Sequence, residues 1–381
     1  MGAVGIIWAG VLMLAGVTLG CCAVSGAAGE EFVFDVVAHG ATGDGRTDDT
    51  KAFEAAWSAA CGARALSASV VVPPQRTFLV GPVSFQGPCA AGRITVQIQG
   101  KIMAPPSEAV STWNSVRNDY WLMFSGVNGL RVTGNGVLDG NGQSWWIRRC
   151  SDVPCVQSAP TMHVAILDSS GVNVLGLTVT APGSSPNTDG IHIGRSQNVL
   201  IANSRIGTGD DCVSISYGSR FVTVDGIDCG PGHGVSIGSL GKNGDTAAVE
   251  FIDVKNVHFT NTMYGARIKT WEGGQGYAKS ISFTNVQFDN VDNPVLIDQF
   301  YRDHSLQVAV AISNITYTNL KGTSSRPTAV AFDCSDGGSC RDIHVNSLVI
   351  TGSGGRQTVA RCRNAQVTTT GQVYPQIPCG S

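Results

Sequence analysis

An apolar pattern repeats along the second half of the chain. Each copy reads h-x-h-x-x-h-x-h, where h is an apolar residue, and successive copies begin 23 to 33 residues apart. Alternation with a period of two is typical of β-strands, and this repeat length is that of one solenoid coil. The first apolar residues of the copies are Val172, Val199, Val222, Ile252, Ile281, Val310 and Ile343.

A second series of short apolar runs lies between these copies. Within each copy of the first pattern, a polar corner such as Asn256 or Asn285 separates two short alternating runs,. Several strands per coil and coils of this length predict an all-β, single-domain right-handed parallel β-helix. The runs of the second series are Gly190–Ile193, Cys212–Ile215, Gly234–Ile237, Ala266–Ile268, Val295–Ile297 and Ala329–Phe332.

One short helix is predicted, at Thr47–Ala60. Apolar residues from Phe53 to Ala60 follow helical spacing after a Thr-Asp-Asp start,. A solenoid exposes strand edges at its ends, so we expect this helix to cap the first coil.

The first residues have the composition of an export signal. Residues 4–24 are largely apolar and lead into small residues, which predicts a signal peptide at 1–27 and one β-helix domain at 28–381,. The run is also long enough for a membrane anchor and has no Lys or Arg before it, so an anchor is the alternative. A net charge of −3 with 14% charged residues indicates no nucleic-acid partner,.

Ten cysteines remain after the predicted leader, and an even number in an exported chain favours disulfides,. No two couples have the spacing of a zinc finger. Asn314-Ile315-Thr316 is a sequon for N-glycosylation,. Because the cysteines fall in sequence-local couples, the predicted pairs are Cys61 with Cys89, Cys150 with Cys155, Cys212 with Cys229, Cys334 with Cys340, and Cys362 with Cys379.

Charged residues fall into one column of the second series. Its apolar residues Ile191, Val213 and Val235 are 22 residues apart, so the residues two places earlier also align. Coils stacked in register place such neighbours about 5 Å apart. Like charges at that separation raise one another's pKa, which is a mark of function rather than of a structural column. The column consists of Asp189, Asp211 and His233, with Asp210 adjoining.

Basic residues extend this patch by one rung. Arg267 and Lys269 alternate with apolar neighbours, so we expect both side chains to point out of the coil,. His192 lies on the Asp189 strand and either joins the site or is a surface histidine. We interpret the other histidines, which show no partner in the sequence, as structural: His39, His163, His258, His304 and His344.

Four short motifs resemble the signatures of the family 28 polygalacturonases, in that family's order and spacing. Each is weak alone, but the ordered set is specific, and the resemblance covers about residues 32–379. The motifs are Asn187-Thr188-Asp189-Gly190, Gly209-Asp210-Asp211-Cys212, Gly232-His233-Gly234 and Arg267-Ile268-Lys269.

The resemblance implies a secreted cell-wall enzyme that hydrolyses the α-1,4-galacturonan of pectin with inversion, as a monomer, without metal or cofactor. It implies that Asp210 is the general acid and that Asp189 and Asp211 activate the attacking water. His233 then tunes the protonation of the acid. The substrate-binding residues that it implies are Arg267 and Lys269, on the galacturonate carboxylate, and Asn187 and Tyr301, along the subsites.

Two departures from the family pattern leave alternatives open. About one coil is missing between the Trp145-Trp146 region and Ser158-Ala159-Pro160, and Arg302 stands where many relatives have Cys. An integral coil can be lost without loss of register, but the subsites before Asp189 would change. A catalytically impaired pectin-binding wall protein, or an isoform without one coil, is therefore the alternative. A calcium-dependent pectate lyase is a further one.

Overall fold

The computed structural model describes residues 31–106, 120–142, 162–301, 309–336 and 340–379. Within them the chain forms one α-helix, α1 (Thr50–Gly62), one turn of 3-10 helix (Lys242–Gly244) and a succession of strands. The first strands are β1 (Phe32–Asp35), β2 (Asp44–Asp48), β3 (Ala68–Val72), β4 (Thr77–Leu79), β5 (Val83–Gln86), β6 (Ile94–Ile98), β7 (Lys101–Met103), β8 (Tyr120–Ser125), β9 (Leu130–Thr133), β10 (Val137–Asp139), β11 (Met162–Leu167), β12 (Ser170–Leu175), β13 (Thr178–Thr180) and β14 (Asp189–Gly194). The later strands are β15 (Gln197–Gly207), β16 (Val213–Ile215), β17 (Arg220–Cys229), β18 (Val235–Leu240), β19 (Thr246–Lys255), β20 (His258–Thr260), β21 (Tyr264–Thr270), β22 (Gln275–Val291), β23 (Asn293–Asp298), β24 (Ala311–Ser324), β25 (Thr328–Asp333), β26 (Cys340–Gly352), β27 (Val359–Arg363) and β28 (Ala365–Tyr374).

These strands form the predicted right-handed parallel β-helix. Every ladder between them is parallel, and each coil contributes one strand to a ten-stranded sheet and the remainder to an eighteen-stranded sheet. The ten-stranded sheet stacks β5, β8, β11, β14, β16, β18, β21, β23, β25 and β27 in chain order. Inward apolar residues of both sheets form one continuous core, as expected when each coil buries its face against the next.

Helix α1 caps the first coil as predicted, but it begins three residues later than the sequence indicated. The Asp44 side chain accepts the N–H groups of Arg46 and Thr47, and this turn holds Thr47 outside the helix. The Asp49 carboxylate accepts N–H groups from Thr42 and Gly43 instead of capping the helix. Local side-chain bonds of this kind compete with helix initiation.

The predicted repeat register is correct for most coils and wrong for one. Val172, Val199, Val222, Ile252 and Ile281 lie in one buried row of paired residues. Ile281, however, pairs with Ile315 and not with Val310, and Ile315 in turn pairs with Ile343. Residues 310–317 and 315–320 both fit the apolar pattern, so alternation alone could not choose between them.

Asparagine side chains mark the correct register. Asn285 donates to the Oδ1 atom of Asn256 at 3.3 Å, and Asn319 donates to the Oδ1 atom of Asn285 at 2.8 Å. All three have a positive φ of 53° to 55°, which is a left-handed corner conformation that asparagine tolerates,. This row of asparagine hydrogen bonds places Asn319 next to Asn285, which aligns Ile315 with Ile281.

The coils stack continuously on both sides of β11, next to the segment where the sequence predicts a missing coil. Strand β11 pairs with β8 on one side and with β14 on the other, with Val164 opposite Leu122 and Ile191. The ladder before the Asp189 coil is therefore unbroken. The segment that departs from the family pattern, at 143–161, lies outside the described residues, and so do Arg302 and His304.

Four of the predicted disulfides are confirmed: Cys61 with Cys89, Cys212 with Cys229, Cys334 with Cys340, and Cys362 with Cys379. Cys150 and Cys155 lie outside the described residues, as does the predicted leader. Across the part of the chain that the structure describes, no helix has the length and apolar character needed to cross a membrane.

Candidate active site

The turns that enter β14, β16 and β18 bring three of the motifs together. Ile191 pairs with Val213, and Val213 pairs with Val235, as the 22-residue spacing predicted. The backbone N–H of Gly190 donates to the carbonyl of Asp211 at 2.9 Å, and that of His233 donates to the carbonyl of Asp210 at 2.7 Å. The motifs therefore occupy successive rungs.

Hydrogen bonds join the turn before β14 to the turn before β16. The N–H of Gly209 donates to Thr188 Oγ1 at 2.9 Å, and the Thr188 hydroxyl is also hydrogen-bonded to that of Ser185. A side chain at Gly209 would collide with the carbonyl oxygen of Ser185. Glycine is therefore required for Asp210 to approach the Asp189 turn.

Asp211 is the centre of a buried ion-pair cluster and is only 1% exposed. One carboxylate oxygen accepts Lys269 Nζ at 2.8 Å. The other accepts the hydroxyl of Ser236 at 2.7 Å and the guanidinium of Arg267 at 3.5 Å. Arg267 and Lys269 leave the coil interior as predicted, but neighbours bury them to 4% and 6% exposure, which the sequence did not indicate.

Asp210 is paired with His233. The Nδ1 atom of His233 donates to Asp210 Oδ1 at 3.0 Å, and the same oxygen accepts the N–H of Asp211 at 2.8 Å. Burial acts to raise the pKa of Asp210, but the hydrogen bond and charge of His233, followed by the charge of Lys269, outweigh it and lower the pKa below its ordinary value,.

The pKa of Asp189 is shifted in the opposite direction. It is 6% exposed, and burial, followed by the negative charges of Asp211 and Asp210, raises its pKa well above the ordinary value,. A hydrogen bond from Ser214 and the charge of Lys269 oppose this shift only in part. Asp189 therefore retains a proton over a pH range in which Asp210 is ionised.

His192 joins the site through Ser214. Its Nδ1 atom lies 2.8 Å from the Ser214 hydroxyl, and its ring stacks on Tyr120 with centroids 5.9 Å apart. Burial lowers the pKa of His192 to about 4, so the ring is neutral at mildly acidic pH. The same Ser214 hydroxyl is also a hydrogen-bond partner of Asp189. Sequence reasoning missed Ser214 and Ser236, although both share the 22-residue spacing of the His192 column.

His163 is structural, as expected, but it has a partner that the sequence did not show. Its ring is buried, and Nδ1 donates to the backbone carbonyl of Asp189 at 3.0 Å. Burial is the main reason that the pKa of His163 is lowered, so the ring remains neutral. A neutral imidazole below the catalytic turn supports the Asp189 backbone without adding charge to the site.

Aromatic rings cover the two basic residues. The guanidinium carbon of Arg267 lies 4.0 Å from the ring centroid of Tyr264, and Lys269 Nζ lies 5.4 Å from that of Tyr301,. Tyr301 thus reaches the site as predicted, whereas Tyr264 was missed. Asn187 is exposed in a left-handed conformation on the turn before Asp189, at the rim of the site.

Asp210, Asp211 and His233 also have the proximity of metal ligands, since their ligand atoms lie within 4.8 Å of one another. Both oxygens of Asp211 already accept cationic donors, from Lys269 and Arg267. A divalent cation would have to displace a buried ammonium group and lie beside a guanidinium. The donor set therefore fits an ion-pair cluster better than a metal site.

Known proteins are similar to this chain in sequence and in fold. The chain is 41% identical over 371 residues to a probable polygalacturonase of Arabidopsis thaliana, covering 91% of this chain and 80% of the relative. It is 40% identical over 355 residues to a polygalacturonase of Persea americana, covering 85% and 75%. Among solved structures, an endo-xylogalacturonan hydrolase of Aspergillus tubingensis superposes with a TM-score of 0.71 at 24% identity, covering 89% of this chain and 100% of the other.

An exopolygalacturonase of Thermotoga maritima has the same fold, with a TM-score of 0.67 at 19% identity and coverage of 88% and 90%. The sequence profile of the glycosyl hydrolases family 28 matches residues 61–156 and 151–371. Together these segments span most of the chain and all four motifs. The chain belongs to the glycosyl hydrolases family 28.

Proposed function

We propose that this chain is a polygalacturonase that hydrolyses the α-1,4 bonds of pectic galacturonan with inversion. The observation that carries the proposal is the set of three adjacent carboxylates beside two buried cations. A glycosidase of this class needs one carboxyl group to protonate the leaving oxygen and another to activate water. A uronic-acid substrate additionally needs a fixed positive charge.

The charge balance of the site fits a uronate. His233 neutralises Asp210 when its ring is protonated, and Asp189 holds its proton. Arg267 and Lys269 together face the single charge of Asp211. Two cations against one carboxylate leave one positive charge in a desolvated site, and one galacturonate carboxylate would balance it. This arrangement favours an acidic sugar over a neutral one.

The acid is proposed to be Asp210, acting with His233 as a pair that holds one proton. The lowered pKa of Asp210 favours its ionised form in the free site, where His233 Nδ1 donates a hydrogen bond to the carboxylate over 3.0 Å. Negative charge that develops on the glycosidic oxygen draws the proton through Asp210 to the leaving group. The pair, rather than Asp210 alone, is the proton source.

The attacking water is proposed to lie between Asp189 and Asp211. Asp211, which pairs with Lys269 and Arg267, is proposed to accept the proton of the water. Asp189 orients the water, and no carboxylate bonds to the sugar. The anomeric carbon is therefore inverted.

Purified protein tests the proposal directly. We expect release of reducing ends from polygalacturonate, no gain of the ultraviolet absorbance that unsaturated lyase products give, and no effect of a chelator. Asp210→Asn is the matched control, because the amide keeps the shape of the side chain. Equal release by both proteins would contradict the proposal, and absence of release by either would favour the pectin-binding wall protein.

Export to the cell wall is part of the same proposal. It is supported by the apolar residues 4–24 and by four disulfides, which form in oxidising compartments,. We propose cleavage after residue 27 and action as a monomer, with residues 28–381 as the catalytic domain. Sedimentation and N-terminal sequencing of the secreted protein test both statements.

A further inference from the structure

One corner of the solenoid has a left-handed residue in seven successive coils. It follows the ten-stranded sheet and immediately precedes the buried row that begins with Val172, and each φ lies between 54° and 65°. Small or polar residues suit this conformation, and most of the coils use them. The corner residues are Gly171, Asn198, Phe221, Phe251, Ser280, Asn314 and Asp342.

Phe221 and Phe251 are the exceptions. A bulky residue with positive φ is an outlier that costs stability. Both rings are also exposed, to 47% and 46%, and they stack with centroids 4.9 Å apart and planes within 3°. Two strained and exposed phenylalanines in adjacent coils indicate that their exposed rings form a contact surface.

The corner residues of the next two coils indicate what covers the exposed ring of Phe251. Ser280 follows Phe251 and is too small to cover its ring, and Asn314 comes next. Asn314 is exposed and begins the sequon Asn314-Ile315-Thr316. Its Nδ2 atom donates to the hydroxyl of Ser280 at 3.2 Å. The atom that would carry a glycan therefore points along the corner toward Phe251.

We propose that Asn314 is N-glycosylated and that the first N-acetylglucosamine packs over Ser280 against the ring of Phe251. Neighbouring coils are about 4.8 Å apart, so Asn314 and Phe251 are separated by about 10 Å, which one sugar ring can bridge. The C–H face of the sugar is apolar and weakly positive, and it matches the negative face of the aromatic ring. The Phe221 ring backs Phe251 from the other side.

The modification is a group transfer from the lipid-linked oligosaccharide diphosphate of the secretory pathway. The bond between sugar C1 and the diphosphate breaks, a bond from C1 to Asn314 Nδ2 forms, and one amide proton is released. The second amide proton remains available to Ser280. The catalytic Asp and His residues lie at the start of strands of the ten-stranded sheet, Arg267 and Lys269 lie on β21, and this corner follows the ends of the strands, so the glycan leaves the active site open.

The test uses full-length protein secreted from a eukaryotic host that makes oligomannose glycans. Mass spectrometry should find the glycan on Asn314. An endoglycosidase that leaves one N-acetylglucosamine should keep the Tm of the protein unchanged, because the stacked sugar remains. An amidase that removes the whole glycan should lower the Tm by about 2 °C.

Phe251→Asn is the matched variant, since asparagine occupies this corner in other coils and folds there without strain. In Phe251→Asn the amidase should change the Tm by less than half as much as in the wild type. The amidase converts Asn314 to aspartate in both proteins, so the added charge is the same and does not account for a difference in the Tm loss. Unmodified Asn314 in the secreted protein, or an equal Tm loss in both proteins, would overturn the proposal.

Discussion

Replacing Asp189 with Asn should make the protein more stable, and increasingly so as the pH rises. Asp189 has a pKa raised well above the ordinary carboxyl value by burial and by the charges of Asp211 and Asp210. The folded protein therefore holds this proton after the unfolded chain has released it. The free energy of unfolding of the wild type therefore falls as the pH rises from about 4 through the raised pKa of Asp189.

The magnitude follows from this proton linkage. Each pH unit within that window lowers the free energy of unfolding by at most about 1.4 kcal/mol per proton. Two units above the ordinary carboxyl pKa, the wild type is thus at most about 3 kcal/mol less stable than it would be with a neutral side chain. Asp189→Asn cannot titrate, so its stability should exceed that of the wild type by an amount that grows with pH.

Urea unfolding of both proteins between pH 4 and pH 7, with disulfides intact, measures this difference. Ser214→Ala is the opposing control. Ser214 stabilises the ionised form of Asp189, so its loss should extend the pH range over which stability falls. A difference between wild type and Asp189→Asn that is constant with pH would refute the assignment of a raised pKa to Asp189.

Four further substitutions test other parts of the site. Asp210→Asn should lower kcat by roughly 10²-fold or more while the protein still folds, and retention of a tenth of wild-type turnover would remove Asp210 from the acid role. Lys269→Met and Arg267→Gln should weaken binding of oligogalacturonate more than binding of a neutral analogue, by calorimetry, whereas equal losses would assign the pair to packing. Gly209→Ala should lower both stability and activity, because its Cβ collides with the Ser185 carbonyl, and unchanged urea midpoints would contradict this close approach of the two turns.

The sequence predicts the fold and the catalytic column well because both depend on spacing. Val213 and Val235 follow Ile191 at equal intervals with no insertion, so alignment of the chain aligns the coils. Where a loop intervenes, spacing is less informative. The coil after Ile281 was shifted by five residues because two overlapping stretches alternate in the same way and each has an asparagine at its corner, Asn314 or Asn319; only the strand pairing and the Asn285–Asn319 hydrogen bond distinguish them.

Other features of the site depend on side-chain packing in three dimensions and leave no periodic signal. The burial of Arg267 and Lys269 arises from contacts with Asp211 and with tyrosines that are distant in sequence. His163 reaches the Asp189 carbonyl from the preceding coil, across 26 residues. A single sequence shows which residue types are present but not which of them share a proton.

The stereochemistry of the first product tests the central claim most directly. If Asp210 protonates the leaving oxygen while Asp189 and Asp211 hold the attacking water, the new reducing end is formed as the β-anomer. Proton NMR of polygalacturonate in the first minutes of digestion, before mutarotation, resolves the two anomeric signals. The account predicts that the β signal appears first and the α signal grows later, whereas an initial α signal would show a covalent intermediate and contradict it.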